Sequence, residues 1–241
     1  MTLTMSGYIS CGNTIPNMRK PKHYREDCNR IAFIYDILVR FISSFFGGEQ
    51  ELRRITIDEM ELNPDQKVLD VCCGTGTLCA MIAEAVGSCG EVIGIDLSEN
   101  MLKKAERKRK KNMDFEIANA EEIPYPDGYF DRVCITFGLH EMPYSVRMNV
   151  LREIARVLTA GGRITVLDYA RPKNALVGLL FNVWMLVEGA TARDFIRRDL
   201  VLMMRSSGFD VCGESVRWMN TIRVVSGVAG EIGEGDRNGR Q

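Results

Sequence analysis

The residues best suited to chemistry begin in VLDVCCGTGTLCAMIAEAVG, Val68 to Gly87. Gly74 and Gly76 make a G-x-G turn between an apolar run and a helical pattern, where a backbone without side chains can approach a ligand. Asp70 precedes the turn, and Asp96 ends the next apolar run, twenty residues after Gly76. A carboxylate at that place can accept hydrogen bonds from both ribose hydroxyls of an adenosine. A dinucleotide fingerprint would need a third glycine, and Cys79 stands there instead, which disfavours a nicotinamide-linked dehydrogenase. These residues suit an adenosine with no phosphate demand. A sulfonium carrying an ammonium tail fits two acidic strand ends.

A second group lies farther along. His140 follows a fourth apolar run directly, on the sheet edge where open α/β folds bind ligands. Its ordinary pKa near ~6.5 suits proton transfer at neutral pH, so it is the leading candidate base; local packing near a helix start is the competing reading. Tyr169 and Asp168 end a fifth run, with Tyr169 equally suited to lining a pocket. His23 lies in a polar N-terminal stretch and reads as solvated. Arg193, Arg197 and Arg198 could meet an anionic substrate, but read better as a solvated helix face. The run KKAERKRKK, Lys103 to Lys111, holds seven basic residues and one acid. It has no interleaved aromatics for base stacking and reads as the solvated face of a helix, so no nucleic acid partner is expected.

The elements that must position these groups follow from periodicity. Residues 1–28 are polar and aperiodic, a flexible arm. Helical spacing of Ile31, Ile34, Leu38, Phe41 and Ile42, then a helix over 49–60, predicts an N-terminal helical cap. Strands are expected at 67–73, 91–97, 115–120, 131–137 and 163–169, and helices at 78–87, 99–111 and 145–158. Alternation of this kind implies βαβ units and a Rossmann-like, seven-stranded, mostly parallel sheet with helices on both faces. Helices over 174–187 and 193–207 form an insertion after strand five, and 209–218 with 220–228 a closing antiparallel pair. The domain is thus expected to span 29–228. The Gly-rich, charged segment 229–241 reads as a disordered tail.

The chain has 241 residues, a net charge of −1 and 46% hydrophobic residues, which excludes a strong global attraction to polyanions. Eight cysteines occur, none in a C-x-x-C pair, so reduced structural thiols are expected and no metal site. No stretch reads as a signal peptide or membrane span. A cytoplasmic protein with at most peripheral membrane contact is expected; the oligomeric state is left open.

In VLDVCCGTGTL, GIDLSENML, NAEEIPYPDGYFDRV, ITFGLHEMP and LREIARVLTAGGRITVLDYARP, the chain resembles class I S-adenosylmethionine-dependent methyltransferases from about Ile31 to Pro172. Within them it is most similar to ubiquinone/menaquinone biosynthesis C-methyltransferases, to which NRIAFIYDIL also points. The resemblance implies S-adenosyl-L-methionine as cofactor and a small-molecule methyl acceptor, such as a lipophilic quinol-type ring. It implies that Gly74 and Gly76 line the aminoacyl and ribose part, with Asp70 near the ammonium group. Asp96 would hold the ribose, Leu97 or Met101 would pack on adenine, and Asn119 with Ala120 would read its edge. Phe137, Gly138 and Leu139 would line the transfer site. Three features depart from the family pattern: Cys72 replaces the first glycine, His140 replaces an arginine after FGL, and the stretch after Pro172 differs. An arsenite methyltransferase and a non-catalytic cofactor-binding protein are the alternative readings. The former lacks a second thiol near Phe137.

Overall fold

The structure, a computed structural model, describes residues 48–230. The predicted arm (1–28), the helix near Ile31, His23 and the segment 231–241 lie outside the described residues. The chain enters through helix α1 (Gly48–Met60) and runs β1 (Lys67–Val71), α2 (Thr77–Val86), β2 (Glu91–Asp96), α3 (Glu99–Ala105) and β3 (Met113–Ile117). It continues through β4 (Phe130–Thr136), α4 (Tyr144–Val157) and β5 (Leu158–Tyr169). Helices α5 (Ala175–Glu188), α6 (Ala190–Phe195) and α7 (Leu200–Arg205) follow, then β6 (Phe209–Arg217) and β7 (Ile222–Ala229).

The seven strands form one sheet in the order β3-β2-β1-β4-β5-β7-β6. The first five are parallel, and β7 pairs antiparallel with both β5 and β6. Side chains alternate across the sheet. Leu69, Val71, Ile93, Ile95, Val133 and Ile135 bury one face. Val68, Val92 and Cys134 pack with Leu78, Ile82 and Val86 of α2 on the other. Strands buried on both faces explain the near-continuous apolar runs. The chain winds outward from β1 to β3, then returns to β4 on the opposite side of β1. That reversal opens a crevice at the carboxyl ends of β1 and β4, the place where doubly wound sheets bind ligands.

Several expected boundaries shift, each for a local reason. Strand three begins at Met113 and ends at Ile117, leaving Asn119 and Ala120 in the following loop. The helix expected to reach residue 111 stops at Ala105, followed by one 3-10 turn, Glu106–Lys108. The helix expected at 193–207 is two short helices. Asp199 restarts the chain by accepting a hydrogen bond from Leu202 N at 3.1 Å. Ala229, assigned to the tail, ends β7 and pairs with Phe209.

Candidate functional site

The G-x-G turn lies at the carboxyl end of β1 with left-handed backbone at Cys72 (φ 59°), Gly74 (φ 54°) and Gly76 (φ 69°). The two glycines have different reasons. A Cβ on Gly76 would lie 2.7 Å from the Phe115 ring, so close packing of turn on strand requires glycine there. A Cβ on Gly74 would meet nothing within 4 Å, so that residue borders open space. Asp96 ties the next strand end to the turn. Its Oδ2 accepts from Gly74 N at 2.9 Å and its Oδ1 from Ser98 N at 2.8 Å. Burial raises its carboxyl above the usual range, against the lowering effect of these backbone donors. Each oxygen keeps a further lone pair for a hydroxyl.

Asp70 is enclosed beneath the turn, 2% exposed. It accepts from the thiols of Cys79 at 3.1 Å and Cys134 at 3.4 Å, and burial pushes its pKa up to about 6. Cys72 takes the left-handed conformation without glycine. The fold accommodates it through Gly138, whose Cβ would lie 3.1 Å from that of Cys72. Leu97 and Met101 are half-buried beside Asp96, and Ser98 Oγ caps α3 at Met101 N, 3.4 Å away. Asn119 Oδ1 accepts from Glu121 N at 3.1 Å, and Ala120 packs into the core. Both sit in the loop after β3, which meets β2 through Ala118 N to Asp96 O.

The second half of the site sits on the ends of β4 and β5. Phe137 carries a positive φ of 52°, which turns the chain sharply into the 3-10 turn Leu139–Glu141. His140 is buried. Its Nδ1 lies 2.8 Å from Asp168 Oδ1, and its Nε2 lies 3.7 Å from Glu188 Oε2. Asp168 also accepts from the backbone N–H groups of His140 and Tyr169 at 3.2 and 2.7 Å. Burial alone would lower the His140 pKa, but Asp168, then Glu141 and Glu188, raise it to about 9. These carboxylates favour the protonated ring at neutral pH. Tyr169 stacks 4.7 Å from the His140 ring and 5.3 Å from Phe137. Its hydroxyl donates to Glu188 Oε1 at 2.8 Å and accepts from Trp184 Nε1 at 3.1 Å.

Glu188 and Trp184 escaped the sequence reading. The available signal was a single carboxylate closing an otherwise apolar helix. Arg147 also went unread. Fully buried on α4, it donates to Leu139 O at 2.9 Å, Asp194 Oδ2 at 2.8 Å and Thr191 O at 2.6 Å, clamping the His140 turn onto α6. The basic run also departs from the expected solvated face. Lys108 Nζ donates to Thr75 O (2.6 Å) and Thr77 Oγ1 (2.7 Å), and Lys110 Nζ to Ala80 O (2.9 Å). Two lysines thus hold the glycine turn and the first turns of α2. Arg193 and Arg197 meet neither His140 nor Asp96, while Arg198 pairs with Asp194 and lies over the Tyr144 ring. Among the described residues, no cluster of side chains is arranged to hold a metal ion.

The open turn beside Gly74, with a carboxylate at its rim, fits the ribose and aminoacyl parts of S-adenosylmethionine. Carboxylates at the same edge suit its positive charges. The family model for the ubiE/COQ5 methyltransferase family matches residues 19–189. The chain is 32% identical over 209 residues to the ubiquinone/menaquinone biosynthesis C-methyltransferase UbiE of Pseudomonas entomophila, covering 84% of this chain and 77% of the relative. It is 38% identical over 157 residues to the demethylmenaquinone methyltransferase of Bacillus cereus, covering 64% and 65%. Its fold is shared with an S-adenosylmethionine-dependent methyltransferase from Aquifex aeolicus, with a TM-score of 0.60, 21% identity and 73% and 88% coverage. The chain belongs to the ubiE/COQ5 methyltransferase family and is an S-adenosylmethionine-dependent methyltransferase.

Proposed function

We propose that the enzyme methylates a ring carbon of a small, lipophilic quinol-type acceptor. Bound S-adenosylmethionine supplies an electrophilic methyl group already activated by its sulfonium charge. The chain's part is alignment, exclusion of water and control of one proton. Gly74 and Gly76 give the turn its close approach, Asp96 takes the ribose hydroxyls, and Leu97 or Met101 packs on the adenine. The loop at Asn119 and Ala120 faces the adenine edge through its backbone, since Asn119 Oδ1 is committed to Glu121 N. Asp70 and Cys72 support the turn from below and beside it.

The observation that carries the acceptor reading is the buried His140 held between Asp168 and Glu188 under aromatic walls. The ring-hydroxyl proton of the acceptor would pass to the His140–Asp168–Glu188 cluster; ionisation raises the nucleophilicity of the ring carbon, which attacks the methyl group and then loses its own proton, restoring the aromatic ring. Phe137 and Tyr169 line the space for an apolar ring. The named activities of the two curated relatives support a quinone-type acceptor. Residues 29–229 form the working domain in this reading, acting in the cytoplasm on a small molecule rather than a nucleic acid. An arsenite acceptor is less well served, because the Cys79 thiol is enclosed against Asp70. The test is transfer of labelled methyl from S-adenosylmethionine to a prenylated hydroquinone, with product mass spectrometry to locate the new carbon bond. Labelling of arsenite or of an oxygen atom, with none on ring carbon, would refute it.

A further inference from the structure

Helix α5 has two unlike faces. Phe181, Met185 and Glu188 are buried, with Trp184 and Glu188 bonded to Tyr169 over the candidate acceptor site. The outer face carries Leu176, Leu179, Leu180, Val183, Leu186 and Val187, each 54–70% exposed. Their spacing keeps them on one stripe of the helix, and no exposed charge interrupts it. Cations bracket the stripe: Arg171 and Lys173 before α5, Arg193 and Arg197 after it. Residues 170–198 hold five Lys or Arg against two acids, or +3, where the whole chain is −1. Of the two acids, Glu188 is buried and Asp194 is paired with Arg147 and Arg198.

We propose that this outer face of α5 docks the enzyme on the surface of an anionic phospholipid bilayer. The helix has 14 residues, about 21 Å at 1.5 Å per residue, and a span needs about 20 residues. It therefore lies in the interface, with its aliphatic stripe among the acyl chains and its flanking cations at the headgroups. A second copy is a poorer occupant. A strip roughly 21 Å by 10 Å offers about 200 Å², against the ~800 Å² per partner of a stable interface. A bilayer with anionic headgroups complements both the apolar stripe and its basic brackets. Docking there would place the candidate acceptor site one helix thickness from the lipid phase. The inference does not rest on the identity of the acceptor, because binding is measured without turnover.

The test is flotation of the full-length protein with phosphatidylcholine vesicles, with and without one-third phosphatidylglycerol, at low and high salt. The protein should float with the anionic vesicles and lose binding as salt rises. Leu180→Glu with Leu186→Glu should weaken binding at least ~10-fold. Lys173→Glu with Arg197→Glu should weaken it at least ~30-fold at low salt, the loss expected from removing two positive charges alone. Neither pair should change the unfolding midpoint, since both sites are exposed. Wild-type protein that stays with the dense fraction overturns the proposal, as does equal flotation of the Leu180/Leu186 variant. A wild-type dimer that this variant converts to monomer assigns the stripe to a second copy instead. A fall of several degrees in the variant's unfolding midpoint assigns it to packing within the chain, by residues preceding Gly48.

Discussion

The two halves of the crevice are built by opposite means. At the ends of β1 and β2 the ligand-facing surface is mostly backbone: a left-handed turn, an open glycine, and a carboxylate oriented by two N–H groups. At the ends of β4 and β5 it is side chains: a buried histidine between two carboxylates, with Tyr169 and Trp184 completing the network. A backbone site is shaped by a few conformational requirements that local sequence carries. A side-chain site depends on distant elements and can change with the acceptor. The two departures at Cys72 and His140 fit this division. Cys72 alters the turn without displacing it, while His140 changes the charge-bearing group at the proposed acceptor site.

The comparison can be broken first on the side-chain half. Asp168→Ala strands the buried His140 ring and two backbone donors, and should cost about 3–5 kcal/mol of stability if the pair is ionised, read by urea unfolding. A loss under ~1 kcal/mol would mean the pair is not an ion pair in the folded state. On the backbone half, Gly76→Ala should cost roughly 1–3 kcal/mol, since its Cβ meets Phe115 at a left-handed position. Gly74→Ala should cost only about 1 kcal/mol, from the left-handed conformation alone. Equal losses at the two glycines would remove the distinction between packing and open space.

Ligand binding sharpens the contrast. Asp96→Ala should weaken S-adenosylhomocysteine binding by roughly 1–3 kcal/mol in titration calorimetry, the cost of hydroxyls left without a partner. His140→Ala should leave that affinity nearly intact while lowering turnover, and parallel losses in both assays would merge the two halves into one. Stability should also depend on pH through His140. Its folded pKa is raised to about 9, so its contribution is complete below the unfolded value near ~6.5 and disappears as pH rises through about 9. Unfolding midpoints of wild type and His140→Gln across that window should converge at the alkaline end. An effect as small as that of Gly74→Ala is expected for Lys108→Met, about 0.5–1.5 kcal/mol, through lost hydrogen bonds to Thr75 and Thr77.

The sequence by itself determined the alternation of strands and helices, the place of the glycine turn, and Asp96 at the neighbouring strand end. These are local properties: apolar periodicity, a missing side chain, and a residue's position relative to its own strand. Even the uninterrupted apolar runs were readable, because burial on both faces leaves no room for alternation. Tertiary structure alone decided the rest. Glu188 reaches His140 across 48 positions of sequence, and Arg147 meets Thr191 and Asp194 on a helix that follows two intervening elements. No spacing rule links such pairs, since their meeting depends on how α5 and α6 settle over the sheet. The same cause turned Lys108 from a presumed surface charge into a tether of the turn, and enclosed His140 between Asp168 and Glu188. A group's charge state is set by what the fold brings within a few ångströms, and that is absent from its neighbours in sequence.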